Sequence, residues 1–175
     1  MLLPKQVISF EQLQKEGLSK QQITAMYASL RLFPTPFKGI YYVPLEEERR
    51  GRFIENPLRI ISQATMLFLR SSAFYFSCET AEESLGLNWR PSGSTHIVND
   101  KLSRRINLRE KIKRNGAKRT WRAQKLARIL SFYGNEIVFH KTSGIERART
   151  KRTPYGRFAL KSQIKLDRKR FKEKP

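Results

Sequence analysis

The stretch Leu18-Ser19-Lys20-Gln21-Gln22-Ile23-Thr24-Ala25-Met26-Tyr27-Ala28-Ser29-Leu30-Arg31 opens with two helix-start devices. Ser19 followed three residues on by Gln22 spells a capping box, and Leu18 ahead of Ile23 spells a hydrophobic staple. Ile23, Met26, Tyr27 and Leu30 then recur at i, i+3, i+4 and i+7, one narrow apolar stripe. Gln21, Thr24, Ala25 and Ala28 fall on the other side. That far face is small and polar and has no acidic residue, so it can approach a polyanion closely.

Pro34 and Pro36 push the residues before them toward extended conformations and keep the helix from passing Phe33. The run Phe37-Lys38-Gly39-Ile40-Tyr41-Tyr42-Val43-Pro44 joins a tight turn to aromatic and β-branched residues, the pattern of a short hairpin or wing. Upstream the helix-start devices occur a second time, with Ser9 and Gln12 as capping box, Ile8 and Leu13 as staple, and Gly17 as stop. Helix, tight turn, second helix and two-stranded wing is the outline of a winged helix-turn-helix, whose second helix enters the DNA major groove. The competing reading is a small capped-helix domain that binds nothing.

The chain has 175 residues and a formal charge of +21, from 36 Lys and Arg against 15 Asp and Glu. A sequence pI near 10.7 marks a polyanion-binding protein more often than an enzyme for neutral ligands. The excess is unevenly spread: residues 1–50 hold seven basic and five acidic side chains, residues 51–100 four and five, and residues 101–175 25 and five. The N-terminal module is therefore expected to choose the site and the cationic remainder to supply salt-dependent attraction. The single cysteine, Cys78, excludes an internal disulfide. The opening Met1-Leu2-Leu3-Pro4-Lys5 is not the apolar core of a signal peptide, and no run reaches the roughly 18 to 20 apolar residues of a membrane helix. A cytoplasmic protein without a membrane partner is expected.

Residues 46–52, rich in Glu and Arg, read as a linker, and residues 53–166 as a small α/β domain. In it we expect a helix from Asn56-Pro57 to about Arg70 and a buried strand at Ala73-Phe74-Tyr75-Phe76. Ser77 is expected to cap a helix that ends at Gly86. Further strands are expected at Thr95-His96-Ile97-Val98, from Arg104 to Lys111, and from Glu136 to His140. A basic loop at residues 113–119 precedes a helix capped by Thr120, with Trp121 on its apolar face and Lys125 on its outer one. Residues 155–166 can add a strand, and residues 167–175 read as a mobile basic tail. The fold class expected is α+β.

For catalysis the sequence offers little. His96 and His140 lie 44 residues apart in apolar strands with no Cys or carboxylate at ligand spacing, so no metal ligand, cofactor or catalytic residue is expected. No phosphate-cradling glycine loop or clustered carboxylate set for a nuclease is present, Glu79, Glu82 and Glu83 being explained by their place near a helix start.

The run Gly17-Leu18-Ser19 through Leu30 with Phe37-Lys38-Gly39-Ile40-Tyr41 resembles the winged-helix head of the AbiEi antitoxin and transcriptional-regulator family. Phe74-Tyr75-Phe76-Ser77 through Ala81, Leu85-Gly86-Leu87, Thr95-His96-Ile97-Val98 and Ser103-Arg104-Arg105-Ile106 are similar to its following domain. The resemblance covers about residues 8–110 and extends to the strand expected at 136–140. It implies a repressor that binds inverted repeats at its own promoter and acts as antitoxin to a nucleotidyltransferase-like toxin, within a toxin–antitoxin or defence locus. Two features depart from the pattern: the second helix offers only Lys20 and Arg31, and the basic segment after Lys111 lies beyond the matching motifs.

These readings assign Gln21, Thr24 and Ala28 to base edges of double-stranded DNA. Lys20, Arg31, Lys38, Arg104, Arg105, Arg109, Lys111, Lys113, Arg114, Arg119 and Arg122 are assigned to phosphate. The alternative is an RNA-binding or ribonucleoprotein-associated protein, in which Trp89, Trp121 and Tyr155 stack on bases.

Overall fold

The computed structural model of the chain describes residues 4–172, so residues 1–3 of the expected N-terminal module and 173–175 of the expected tail lie outside the described range. In chain order the elements are β1 (Gln6–Ser9), α1 (Phe10–Lys15), α2 (Lys20–Ala28), β2 (Phe33–Pro34), β3 (Ile40–Val43), α3 (Glu46–Gly51), α4 (Pro57–Leu69), β4 (Phe74–Phe76) and α5 (Cys78–Ser84). They continue with β5 (Ser94–Asn99), β6 (Arg104–Asn107), α6 (Leu108–Gly116), α7 (Trp121–Ser131), β7 (Glu136–Lys141), β8 (Thr150–Thr153), β9 (Gly156–Ala159) and α8 (Lys161–Lys172). The protein is α+β. No helix among the described residues is long and apolar enough to cross a membrane.

Two compact units divide the chain, and neither is continuous in sequence. The first comprises residues 1–70 and 108–133, the second residues 71–107 and 134–175. This differs from the expected boundaries at 46–52 and 166.

In the first unit both capping boxes form: Ser9 and Ser19 accept from the amides of Gln12 and Gln22, whose side chains accept in return from the cap amides. The two staples merge into one core, in which Ile8, Leu13, Ile23, Leu32 and Val43 are buried with Leu18, Met26 and Tyr41 packed around them. The hairpin has a third strand that periodicity did not show. β1 pairs antiparallel with β3 and β2 with the other side of β3, so Pro34 lies on an edge strand where its missing N–H costs no ladder bond. Gly39, at φ +76°, makes the turn into β3.

Residues 46–52 are not a linker. α3 forms there, and its buried Glu48 accepts from the Tyr42 hydroxyl at 2.6 Å and from the amides of Leu45 and Glu55 at 2.9 and 3.1 Å. A carboxylate held by three donors fastens this segment to β3. α4 packs on β1 and β3, and α7 packs on β2.

The strand expected from Arg104 to Lys111 stops at Asn107, and α6 begins at Leu108. Ile106 and Leu108 have strand spacing, but Leu108 and Ile112 are four apart, and burial of Leu108 sets the helical phase. The expected basic loop at 113–119 is thus helical to Gly116. In α7 the expected faces are exchanged at one turn: Trp121 is exposed while Lys125 is buried, its ammonium resting on the Trp121 ring.

The second unit is a six-stranded mixed sheet in the order β6-β7-β5-β4-β9-β8, with β5 and β7 parallel, β4 and β9 parallel, and the other neighbours antiparallel. α5 and α8 pack on each other and against β5 and β9. Gly134, at φ +84°, brings the chain against the Gly93 carbonyl so closely that a Cβ would lie 2.6 Å from its oxygen, and β7 starts there beside β5. Residues 156–159 join 150–153 in a hairpin, so the strand expected over residues 155–166 ends at Ala159 and α8 begins at Lys161.

The expected mobile tail is instead α8 as far as residue 172. Its Asp167 is wholly buried and accepts from Ser77 at 2.6 Å, Gln163 at 2.9 Å and Tyr75 at 3.1 Å. Ser77 occupies the N-cap position of α5, as expected, but its hydroxyl donates to this carboxylate and makes no cap hydrogen bond.

Candidate functional site

On α2, Gln21 and Thr24 are exposed and Ala28 is half-buried, on the side away from Ile23. The Thr24 hydroxyl is turned back to the Lys20 carbonyl at 2.9 Å. Lys20, Arg31 and Lys38 are exposed in the same unit. Their neighbourhood is more cationic than the local sequence indicates. The Arg122 guanidinium, from α7, lies 5.5 Å from the centre of the Tyr27 ring on α2, and Tyr27 lies 5.7 Å from Tyr41 on β3. An open groove of about 400 Å³ is lined by Tyr27, Lys38, Tyr41, Lys111 and Asn115 among others.

These contacts fix where the sequence-derived phosphate candidates fall. Arg109, Lys111, Lys113 and Arg114 on α6, Arg119 just before α7 and Arg122 on it are all exposed and belong to the same unit as α2. Arg104 and Arg105, on β6, belong to the second unit, and Arg105 pairs with Glu136 at 3.4 Å. Counted by unit, the first holds 19 basic and seven acidic side chains, net +12, and the second 17 and eight, net +9. The expected split between a nearly neutral head and a cationic remainder therefore does not survive folding. Residues 108–133, with nine basic side chains and one acidic, return to the head.

The second unit assembles a group that sequence spacing did not bring together. β5 and β7 pair in parallel with His96 opposite Val138 and Val98 opposite His140. Alternation then puts both imidazoles on one face of adjacent strands. His96 Nδ1 lies 2.9 Å from His140 Nε2, and His96 Nε2 lies 3.0 Å from Glu79 Oε2. Cys78 completes the group, with the three potential donor atoms of Cys78, His96 and His140 all within 4.8 Å of one another. The His140 ring stacks on Phe171 of α8 at 4.1 Å. Arg168 binds Glu79 at 3.2 Å and Glu82 at 2.7 Å.

Burial pushes the Cys78 thiol up to about 12 and holds the His96 imidazole below its usual value. Cys78 also has φ +51°, in the left-handed region that a residue with a side chain seldom adopts. The sequence carried one signal for this group, that each His is flanked by strand-forming residues. The pairing that aligns them is a long-range property.

No protein-family model matches this chain, and no curated protein or solved structure matches it.

Proposed function

We propose that this protein binds double-stranded DNA and regulates transcription, with the first unit as a winged helix-turn-helix. α2 enters the major groove, Gln21 and Thr24 meet base edges with Ala28 allowing close approach, and Lys20, Arg31 and Lys38 meet phosphate. The observation that carries this is the pairing, within one unit, of an exposed α2 face free of acidic residues with the cation-rich helices α6 and α7, tied to α2 through Arg122 and Tyr27. Base readout and phosphate attraction then belong to one body. A cytoplasmic autorepressor and antitoxin, partnered by a nucleotidyltransferase-like toxin, is the role implied by the resemblance over residues 8–110.

The test is selection of bound duplexes from a random pool by the full chain, followed by binding isotherms on the selected and a scrambled sequence. The reading expects a selected motif with dyad symmetry whose advantage shrinks in Gln21→Ala. A pool that yields no motif, or a variant with undiminished discrimination, refutes it.

A second reading has its own observation. Trp89 is 94% exposed and Tyr155 42%, and exposed aromatic rings suit the stacking of unpaired bases in RNA. Trp121 is 63% exposed, with the Arg52 and Lys125 cations over its ring. Competition between duplex DNA and a structured RNA at matched salt separates the two readings.

A further inference from the structure

We propose that the Cys78 thiolate, His96 Nδ1 and His140 Nε2 bind a divalent transition-metal ion of the zinc class in the second unit. One sulfur and two imidazole nitrogens are the donor set that zinc takes, and hard ions such as magnesium require oxygen. Tetrahedral zinc with Zn–N near 2.0 Å and Zn–S near 2.3 Å needs donor atoms about 3.3 to 3.6 Å apart. The donors here lie within 4.8 Å of one another, with the two nitrogens at 2.9 Å. Side-chain shifts of less than about 1.5 Å therefore bring all three onto one ion.

Three further features point the same way. Glu79 accepts the Nε2 proton of His96 at 3.0 Å, which turns the Nδ1 lone pair toward His140. This is the carboxylate–histidine pair that orients imidazole ligands of zinc, and Arg168 in turn holds the carboxylate. Two ring nitrogens facing each other at 2.9 Å must share either a proton or a cation. The Cys78 backbone, between β4 and α5, is held at φ +51°, a strained conformation, and its sulfur lies within 4.8 Å of the histidine donors.

A nucleophilic cysteine is the competing use of the same residues. It needs an accessible, readily ionised thiol, whereas Cys78 is 4% exposed.

Binding is a ligand exchange. The thiol loses its proton to solvent, His140 moves its proton from Nε2 to Nδ1, and the ion sheds waters in return for three protein bonds. Three protein donors leave the fourth position of a tetrahedral ion to water. Half-exposed Glu79 and the 18% exposure of His96 give the ion a route from solvent.

The experiment uses the full chain without a histidine tag, stripped by chelator and titrated with Co2+ as a spectroscopic probe. The proposal expects saturation at one equivalent, with visible bands of tetrahedral cobalt and a thiolate-to-metal charge-transfer band in the near ultraviolet. Zn2+ displaces the cobalt and raises the melting temperature, and Mg2+ does neither. Cys78→Ser removes the charge-transfer band. His96→Gln weakens binding at least a hundredfold, and Glu79→Gln, which touches no metal, weakens it by roughly tenfold to a hundredfold. Absence of stoichiometric cobalt binding by the folded wild-type chain overturns the proposal. So does a cobalt spectrum unchanged in Cys78→Ser. Should a variant fail to fold, the wild-type spectrum and the zinc-dependent melting shift decide alone. Either result leaves the DNA reading untouched, because Gln21 and the α6 cations lie in the other unit.

Discussion

The two units carry similar net charge, +12 and +9, and each fastens elements through one buried carboxylate, Glu48 in the first and Asp167 in the second, but they place their remaining acidic residues differently. In the second unit carboxylates fasten elements together: Asp167 ties α8 to β4, Glu79 and Glu82 hold Arg168, and Glu136 holds Arg105. In the first unit Glu11, Glu46 and Glu55 pair with Arg70, with Arg49 and Arg50, and with Lys5, while the exposed basic residues of α6 and α7 belong to a segment with one acid. Net charge alone does not locate a polyanion surface. The disposition of the opposite sign does.

The contrast is most sharply tested at Asp167. Asp167→Ala leaves the Tyr75 and Ser77 hydroxyls and the Gln163 amide without their acceptor, and about 3 kcal/mol or more of stability is expected to go. Lys165→Ala, exposed on the same helix, is expected to change stability by less than about 0.5 kcal/mol. Urea unfolding of both variants measures the difference. Equal effects would mean that carboxylates do not organise the second unit.

Next in size is DNA affinity. Reversing Lys113, Arg114 and Arg119 together is expected to weaken binding to any duplex roughly a hundredfold at low salt and to flatten the log–log salt slope by about 0.9 for each phosphate left unneutralised. Arg105→Glu, at a residue already paired with Glu136, is expected to do much less. Titrations at several salt concentrations check this, and equal losses from the two units would erase the distinction between them.

Gln21→Ala is expected to cost on the order of 1 to 3 kcal/mol of discrimination between selected and scrambled duplex, with little change in non-specific affinity. Smallest is Ser19→Ala, which removes the α2 cap and is expected to lower stability by about 1 kcal/mol. Thermal unfolding reads that loss, and recovery in Ser19→Asp would attribute it to the cap.

Local rules anticipated the elements whose causes are local. The capping boxes at Ser9 and Ser19, the Asn56-Pro57 helix start and the strand at residues 74–76 depend on residues a few positions apart, and each forms. Misreadings occur where a buried side-chain contact decides, whether its partner is near in sequence or far. Glu46–Gly51 reads as linker until Tyr42 supplies a donor for Glu48, and residues 167–172 read as tail until Tyr75 and Ser77 supply donors for Asp167. Leu108 follows two periods at once, and burial selects the helical one. For the candidate sites, exposure of Gln21 and Thr24 was legible from the apolar stripe opposite them. The meeting of Cys78, His96 and His140 was not, since it depends on which strands become neighbours and in which direction.

The interleaving of the two units bears on how the chain is made. A ribosome releases residues 1–70, then 37 residues of the other unit, and only afterwards α6 and α7, so the nascent head waits until residue 133 has emerged before β2 receives its covering helix. During that interval β2 lacks α7 and is open to chaperones or to a second nascent chain. A gene fragment that stops at residue 70 makes the interval permanent.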